Sequence, residues 1–320
     1  MLKSTVLPAA IGAMLALPGN SQAAEIVIGM PSWSSGIATA HVLKTLLETE
    51  FDATVRLESG STDEIFGRMD EGTNHIHPEV WLPNHQELST EYVVHRGTVE
   101  MSSAGVPARQ GLCVTRHTRD EFGIASIADL TDPDKAAVFD TVGDGRGEVW
   151  IGASDWTSTR IERVRARSYG YEATMELLEA EETVATVAID AAVAVDKPLV
   201  FYCYEPHHVF ELHDVVHLDE PPHDPRRWTI REPSSDPEWL DNSLADVAWP
   251  VSFLHIHYTT QLAEDRPDIA GFLSAIRLDV DSISQMTYAL VVERRTPEDF
   301  AEEWVSANRD RIDRWLEAAR

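Results

Sequence analysis

The stretch EIVIGMPSWSSGIATAHVLKTLLETEF, residues 25–51, sets the folding pattern of the whole chain. Its first part, EIVIGM, is a short β-branched run typical of a buried strand, and the Pro, Ser and Gly that follow indicate a loop. In the remainder, Ile37, Ala40, Leu43 and Leu47 recur at the spacing of one helical face. The stretch therefore predicts a strand, a loop and an amphipathic helix.

The same alternation continues towards residue 107. ATVRLES predicts a strand, STDEIFGRMDEG predicts a helix that begins at Ser61 or Thr62 with Glu64 close behind, and HIHPEVWL predicts another strand. Strands that alternate with helices favour a parallel, doubly wound α/β sheet. We therefore predict one α/β unit over residues 24–107.

A second series of strands and helices begins at PARQGLCVT, and the chain ends in a helical tail. Strands are predicted in AAVFDTV, PLVFYCYE and VAWPVSFLHIHYTT. The tail is too short for a third domain and should pack against the first unit, so that the chain crosses between two units twice. We predict a two-lobed α/β fold with a cleft, in which lobe I comprises residues 24–107 and 261–320 and lobe II comprises residues 108–260.

Composition excludes several classes of function. The 320 residues are 43% apolar, as expected of a globular chain, and 54 acidic against 26 basic residues give a formal net charge of −28. Such a charge repels nucleic acid and anionic lipid and favours cationic ligands. The sequence contains no GxxxxGK[ST], HExxH or GxSxG motif, and the glycines of GDGRG do not follow the dinucleotide-binding fingerprint, which argues against an NTPase or a Rossmann dehydrogenase.

The first 23 residues are typical of an export signal. Lys3 precedes the apolar run VLPAAIGAMLALPG, and SQA then gives the small-x-small pattern of a cleavage site. Prolines and glycines interrupt this run, and no later apolar run is long enough to span a bilayer. We predict an exported, periplasmic protein that does not itself span the membrane, with an uncleaved N-terminal anchor as the alternative.

The cysteines and two histidine pairs leave alternatives open. Cys113 and Cys203 both lie in apolar segments, where either a disulfide or two buried thiols would fit. The sequence HIH occurs at residues 75–77 and 255–257, and i, i+2 spacing on a strand places two imidazoles on one face, as zinc ligands often are. A zinc-dependent enzyme or zinc-binding protein is therefore the alternative from a different class to buried structural histidines.

The loop DTVGDGRGE resembles part of an EF-hand. Asp140 and Asp144 would supply side-chain oxygens, Arg146 a backbone carbonyl and Glu148 a further carboxylate. Val142 stands where an EF-hand carries a side-chain ligand, and no Glu follows at the last position. A structural calcium ion and a plain acidic turn both remain open, and we expect no required cofactor.

Four aromatic residues each lie at or just past the end of a predicted strand: Trp33, Trp81, Trp156 and Tyr204. In a doubly wound sheet these positions face the cleft. Three Trp and a Tyr in polar, small-residue loops are unusual as core residues, although each taken singly is more often part of the core or the surface. The set therefore marks a candidate lining of the cleft.

Several motifs, in the same order, resemble the periplasmic substrate-binding proteins of ABC importers for glycine betaine and related quaternary amines. They are VWLPNH, FDTVGDGRGEVWIGASDW, VFYCYEPHHV, WPVSFLHI and FAEEWVSANRDRIDRWLEAA, and the resemblance covers nearly all of the predicted mature chain. It implies the fold of a type II periplasmic binding protein, with the ligand in the cleft between two lobes. The quaternary ammonium would lie in an aromatic box, and backbone N–H groups with a histidine would hold the carboxylate.

The resemblance implies a role for individual residues. Trp81 corresponds to the box Trp of the first lobe, and His85 to the carboxylate-binding histidine. Trp156 corresponds to the second box Trp, and its N–H with those of Thr157 and Ser158 would hold the carboxylate. Helix N-termini favour anions, which agrees with this assignment.

Two positions depart from the family pattern and leave the exact ligand open. Tyr204 stands where a third Trp is familiar, and Trp33 stands where related subfamilies carry a box Trp, so the box would have four walls. Glycine betaine is the expected ligand, and trimethylamine N-oxide, choline, carnitine and dimethylsulfoniopropionate are the alternatives. We predict a monomeric protein without catalytic activity that delivers its ligand to an ABC permease.

Overall fold

The structure, a computed structural model, describes residues 25–319, so the predicted export signal lies outside the described residues. Within this range, no helix is both long and apolar enough to cross a membrane. The strands are β1 Ile26–Met30, β2 Val55–Ser59, β3 Ile76–Leu82, β4 Val99–Met101, β5 Val106–Thr115, β6 Gly147–Gly152, β7 Met175–Glu179, β8 Val200–Glu205, β9 Val215–His217, β10 Trp228–Thr229, β11 Leu244–Ala245 and β12 Ser252–Thr259.

The α-helices alternate with these strands in the N-terminal part and dominate the C-terminal part. They are α1 Ser34–Phe51, α2 Thr62–Asp70, α3 Gln86–Ser89, α4 Arg116–Phe122, α5 Pro133–Ala136, α6 Thr157–Tyr169, α7 Glu182–Val193, α8 Val209–Leu212, α9 Thr260–Asp265, α10 Pro267–Ala275, α11 Val280–Thr287, α12 Pro297–Ala307 and α13 Arg309–Ala318. Two π-helical segments, Thr90–His95 and Tyr288–Val292, continue α3 and α11.

The main sheet has the strand order β2-β1-β3-β12-β5-β8-β6-β7, with β4 on β12 and β9 on β5. β5 connects its two halves, because residues 106–108 pair with β12 and residues 109–114 pair with β8. We call β1–β4 and β12 the first half and β5–β9 the second half. Both contain parallel pairs, β1 with its two neighbours and β6 with its two neighbours.

The centre of the sheet is antiparallel, and here the structure differs from the predicted all-parallel sheets. β12 runs antiparallel to β3, β4 and β5, and β5 runs antiparallel to β8. The sequence analysis placed β12 in lobe II, whereas most of its hydrogen bonds join it to β3 and β4 of the first half. Apolar alternation identifies a strand but not its neighbours, because pairing depends on residues far away in the chain.

The strand predicted in AAVFDTV is wrong. These residues form the end of α5 and a 3₁₀ turn, Ala137–Phe139. Asp132 caps this helical segment by accepting a hydrogen bond from the N–H of Asp134, and Pro133 occupies the first helical position. The strand of this region is β6, which begins immediately after the acidic loop.

β1 and α1 confirm the pattern predicted from residues 25–51 and hold the loop between them in place. Leu43, Leu46 and Leu47 of α1 are buried with Ile26 and Ile28 of β1 in the main core. α12 of the C-terminal tail packs on the outside of α1. The loop between β1 and α1, which carries Trp33, is therefore anchored at both ends by buried elements.

A disulfide joins Cys113 of β5 to Cys203 of β8. The antiparallel pairing of the two strands sets Cys113 opposite Phe201 and brings the two cysteine Cα atoms within 5.7 Å of one another. Both cysteines are buried in a small apolar cluster beneath α7 and α8. The sequence left open whether the two cysteines form a disulfide or stay as thiols, and the pairing of two distant strands decides for the disulfide.

Candidate functional site

A cavity opens between the two halves of the sheet, where β1, β3, β6 and β8 end. All of the residues predicted to bind the ligand line it, namely Trp33, Trp81, His85, Trp156, Thr157, Ser158 and Tyr204. Its other lining residues are Thr62, Asn84, Gln110, Asp155 and Tyr202. The predicted residues come from four separate segments of the chain, and the fold gathers them around one cavity.

Three of the aromatic rings form a corner. The ring centroids of Trp81 and Tyr204 lie 5.4 Å apart with an interplanar angle of 84°, and those of Trp156 and Tyr204 lie 6.0 Å apart at 76°. All three side chains are largely buried, whereas Trp33 is half-buried at the cavity wall. Rings set nearly perpendicular to one another present several faces and edges to one small volume, as a box around an organic cation requires.

The two tryptophans of the first half share one hydrogen-bond acceptor. Oε1 of Glu79 accepts from Nε1 of Trp33 at 2.7 Å and from Nε1 of Trp81 at 3.0 Å. The hydroxyl of Ser35 donates to the same oxygen at 2.7 Å. Burial raises the pKa of Glu79 to about 7, against the opposing effect of these hydrogen bonds. Glu79 cannot be recognised from the sequence, because a single Glu within a strand belongs to no known motif.

The third tryptophan is attached across the cleft. Trp156 donates from Nε1 to the hydroxyl of Ser32 at 3.1 Å, and that hydroxyl donates to Oδ2 of Asp155 at 2.7 Å. Ser32 lies in the loop after β1, whereas the other two residues precede α6 in the second half. The two halves of the sheet are therefore linked by hydrogen bonds at the rim of the cavity.

Helix α6 points its N-terminus into the cavity. Trp156 is its N-cap, and the backbone N–H groups of Thr157 and Ser158 have no acceptor among residues 25–319. The N–H of Trp156 instead donates to the carbonyl oxygen of Ala153 at 3.1 Å. Two of the three predicted N–H donors are therefore free for an anionic group, and the third is engaged by its own loop.

His85 is buried at the edge of the cavity, at the N-terminus of α3. Burial lowers the pKa of its imidazole to about 3, and the nearby charge of Arg160 acts in the same direction. The imidazole is therefore neutral at ordinary pH. It can donate one hydrogen bond to a ligand carboxylate, but it does not add the ion pair that an imidazolium would form.

A polar cluster that the sequence analysis missed lines the cavity beside His85. Tyr202 donates its hydroxyl to Oε1 of Gln110 at 2.8 Å, and Asn84 donates to the same oxygen at 2.8 Å. Gln110 in turn donates to the hydroxyl of Ser252 at 2.8 Å. Asn84 belongs to the quoted VWLPNH motif, but Gln110 and Tyr202 are brought there only by the pairing of β5 with β8.

Glu182, the first residue of α7, receives hydrogen bonds from both halves of the sheet. Its carboxylate accepts from the N–H and the hydroxyl of Ser34 at 2.8 Å and 3.1 Å. The same carboxylate accepts from the hydroxyl of Tyr204 and lies 3.1 Å from Nε2 of His207. Burial alone would raise the pKa of Glu182, but the bond to His207 and the other donors hold it below its ordinary value. A buried carboxylate thus fixes one wall of the box and joins the two halves.

The acidic loop makes its hydrogen bonds internally. Asp140 accepts from the backbone N–H groups of Val142, Gly143 and Gly145, and Asp144 accepts from that of Arg146. The carboxylate of Glu148 accepts from the backbone N–H and the hydroxyl of Thr141, and the guanidinium of Arg146 pairs with Glu176. These bonds hold the loop without an ion, and none of its residues lines the cavity.

The histidine pairs have separate hydrogen-bond partners. Nδ1 of His75 accepts from the N–H of Val27, and His255 contacts Ser102. His77 and His257 are cross-strand partners, and both are buried against Phe66, with ring centroids 5.9 Å and 5.5 Å from it. Within residues 25–319, the one group of metal-ligating side chains close enough to share an ion is that of Cys113, Cys203 and His217, and its cysteines form the disulfide.

The fold and the cavity define a two-lobed solute-binding protein of the α/β class. The chain belongs to the family of substrate-binding domains of ABC-type glycine betaine transport systems, which it matches over residues 24–307. The resemblance given by the sequence motifs is thereby confirmed. Members of this family bind a substrate for transport, so the chain is not an enzyme, and the zinc-dependent enzyme considered from its histidines is excluded.

Characterised relatives share about a quarter of their residues with the chain. It is 26% identical over 251 residues to the glycine betaine/proline betaine-binding periplasmic protein of Escherichia coli, covering 75% of this chain and 73% of the relative. It is 23% identical over 252 residues to the protein of the same name from Salmonella typhimurium, with the same coverage of both chains.

Solved structures of similar proteins confirm the two-lobed fold. The glycine betaine/L-proline-binding protein of Borrelia burgdorferi has a TM-score of 0.70 at 16% identity, covering 93% of this chain and all of that one. Lactococcal OpuAC, in its closed form with glycine betaine, has a TM-score of 0.67 at 17% identity, covering 91% of this chain and 99% of that one. A choline-binding protein in complex with choline has a TM-score of 0.72 at 14% identity, with 92% and 91% covered.

Proposed function

We propose that the protein captures glycine betaine, or a close zwitterionic analogue, in the cavity between its two halves. The observation that carries this proposal is the pairing of an aromatic corner with the free N–H groups of Thr157 and Ser158 in one small cavity. The quaternary ammonium would contact Trp33, Trp81, Trp156 and Tyr204. The carboxylate would accept from the N-terminus of α6 and from His85.

The energies of these contacts are compatible with tight binding. Each desolvated aromatic face contributes up to about 2 kcal/mol to holding a quaternary ammonium. Three or four faces would therefore supply most of the roughly 8 kcal/mol that corresponds to micromolar affinity. Helix-terminal N–H groups favour a carboxylate but offer less to a choline hydroxyl or to an amine oxide. This difference supports a zwitterion over choline and trimethylamine N-oxide.

We further propose that the protein works outside the cytoplasmic membrane and hands its ligand to an ABC permease. The predicted export signal, residues 1–23, and the periplasmic relatives support the location. Both halves of the sheet contribute to the cavity, so that a bound ligand would favour the closed arrangement. Closure would then report occupancy to the permease.

Calorimetric titration with five ligands tests the proposed substrate. We expect glycine betaine to bind with micromolar or tighter affinity, followed by dimethylsulfoniopropionate and carnitine, which also carry a carboxylate. Choline and trimethylamine N-oxide should bind at least about tenfold more weakly. Choline carries no anionic group for the helix N-terminus, and the oxide oxygen of trimethylamine N-oxide is bonded directly to the nitrogen and replaces a carboxylate with a single acceptor atom. Tighter binding of choline than of betaine would reject a zwitterion as the substrate, and no binding of any of the five would reject the function.

The two interpretations of the acidic loop are separated by a calcium titration. Because both oxygens of Asp140 already accept loop N–H groups, we expect no saturable heat when calcium is added to chelator-treated protein. A saturable heat that is absent from Asp140→Asn would instead support a structural calcium ion held by Asp140, Asp144, Glu148 and the carbonyl of Arg146. Asp134→Asn, in a neighbouring exposed turn, serves as the control.

A further inference from the structure

Glu79 lies behind two walls of the box, where it makes no contact with the cavity itself. Its carboxylate is almost fully buried, and the donors to its Oε1 atom are the indole N–H groups of Trp33 and Trp81 and the hydroxyl of Ser35. Thr39 contacts Oε2 at the longer distance of 3.5 Å. Lys and Arg are absent from this set of partners, so the carboxylate is surrounded by neutral donors.

Burying a carboxylate with neutral donors only is costly, and an apolar residue at this strand position would pack without that cost. Three hydrogen bonds to one oxygen fix the orientation of both indole rings about their side-chain torsions. An indole that donates its N–H to an anion also has a more negative ring face, and a cation lying on that face is attracted more strongly. The same charge would attract the cation directly through a medium of low dielectric constant.

We propose that Glu79 is the positioning residue and the counter-charge of the quaternary-ammonium site, a proposal that rests on the proposed function. It sets the faces of Trp33 and Trp81 towards the cavity and supplies the negative charge that the aromatic walls lack. Its effect is therefore specific for a positive ligand head group and adds little to the binding of a neutral group of the same shape.

The test compares glycine betaine with 3,3-dimethylbutanoate, the anion of tert-butylacetic acid, written tert-butylacetate below. This anion is the analogue of betaine with carbon in place of the quaternary nitrogen. Affinities of both ligands are measured by calorimetry for the wild type and for Glu79→Gln, which keeps an oxygen acceptor for the indoles and removes the charge. We expect the wild type to prefer betaine strongly. In Glu79→Gln this preference should fall about tenfold or more, mostly through weaker betaine binding. A tenfold change corresponds to about 1.4 kcal/mol of binding free energy, which the attraction between two charges in a medium of low dielectric constant can supply.

A matched control exists at Glu162, another fully buried carboxylate that accepts an indole N–H, from Trp249 at 2.7 Å, but does not line the cavity. Glu162→Gln should lower stability and leave the ratio of the two affinities unchanged. If Glu79→Gln does not fold, Trp33→Phe keeps the aromatic wall and removes one indole donor, and it should reduce the preference for betaine by several fold. An unchanged ratio in whichever of these two variants folds would overturn the proposal.

A second readout is the pH dependence of betaine affinity. In the free protein, burial raises the pKa of Glu79 to about 7. A bound cation favours the ionised form of this carboxyl group. Affinity should therefore rise several fold between about pH 6 and about pH 8, because fewer molecules must release a proton on binding. Glu79→Gln should lose this rise, and an equal rise in wild type and variant would contradict the proposed charge.

The other titratable groups around Glu79 do not account for such a rise. Glu182 faces it from α7, and its pKa lies below the ordinary value, so it stays ionised throughout this range. His77 on the same strand is neutral there, because burial lowers its pKa well below the ordinary value. Burial also lowers the pKa of His255 of β12, and Glu79→Gln leaves this residue in place. His207 and Asp155 belong to the second half, and Glu79→Gln leaves both residues in place, so any rise that they cause would persist in the variant.

The two proposals fail in different ways. If the wild type binds neither betaine nor the other quaternary amines, the proposed function is wrong. If the wild type binds betaine but Glu79→Gln keeps the same preference over tert-butylacetate, the function stands and the role of Glu79 is wrong.

Discussion

Trp81→Ala is expected to weaken glycine betaine binding by roughly thirtyfold or more, as measured by calorimetry. The substitution removes one ring face from the cation, which is worth about 2 kcal/mol in a desolvated box. It also removes the edge contact that orients Tyr204 and leaves Oε1 of Glu79 with one indole donor fewer. The loss should be largest for quaternary ammonium ligands, since a neutral head group gains little from the ring face.

The same substitution should also lower the free energy of unfolding. From the sequence, Trp81 lies at the end of a strand and near a loop, so its replacement would be expected to cost little stability. The structure instead leaves only 7% of Trp81 exposed and places it in the main core cluster. Truncation of a buried tryptophan typically costs about 3–5 kcal/mol, so binding must be measured at a temperature where the variant is folded.

Trp315→Ala provides a matched control, because Trp315 is also buried but stacks on Trp304 in the C-terminal helices. We expect a comparable loss of stability with unchanged betaine affinity. If Trp81→Ala retained wild-type affinity while folded, the aromatic box would be wrong as a description of the site.

Glu182→Gln is expected to reduce betaine affinity by about tenfold to a hundredfold and to open the ligand-free protein. The carboxylate accepts from Ser34 of the first half and orients Tyr204 of the second, and an amide cannot accept from all four donors. A hydrogen bond to a charged group is worth about 1.5–3 kcal/mol, and loss of one or two gives this range. Without these bonds, the ligand must itself supply more of the energy of closure.

Small-angle scattering and calorimetry together measure this effect. The radius of gyration of ligand-free Glu182→Gln should exceed that of the wild type and return to it when betaine saturates the site. Glu181→Gln is the control, since Glu181 precedes Glu182 directly and is exposed. A variant at Glu182 that binds as tightly as the wild type would show that these hydrogen bonds do not couple closure to binding.

Predictions that depend on neighbouring residues in the chain agree with the structure. Ser61 and Glu64 form the capping box expected from their spacing, and α1 covers the helix predicted from the recurrence of Ile37, Ala40, Leu43 and Leu47. Caps and helical faces involve residues within about one turn of each other, so local sequence suffices to predict them. The motifs also predicted the class of function correctly. The family match confirms the class that VWLPNH and the other motifs, in their order along the chain, had implied.

Predictions that depended on distant residues were incomplete. The sequence identified the aromatic walls of the site but not Glu79 or Glu182, which hold those walls in position. It left the pairing of Cys113 with Cys203 open, and it counted the N–H of Trp156 among the ligand donors although that group bonds to Ala153. The two carboxylates and the disulfide require contacts that depend on strand order or on closure of the cleft. The bond from Trp156 to Ala153 is a local turn, whose geometry the motif alone does not specify.

The sequence by itself therefore determined the alternation of strands and helices, the export signal as a prediction, the family and the aromatic character of the ligand site. Only the tertiary structure decided the mixed sheet, the disulfide, the neutral state of His85 and the two buried carboxylates behind the box. The physical reason is that hydrophobic periodicity and capping act over a few residues, whereas burial and hydrogen bonding of a polar group depend on the whole surrounding fold. The charge and orientation of the groups in a binding site depend on burial and hydrogen bonding, and therefore on the whole fold.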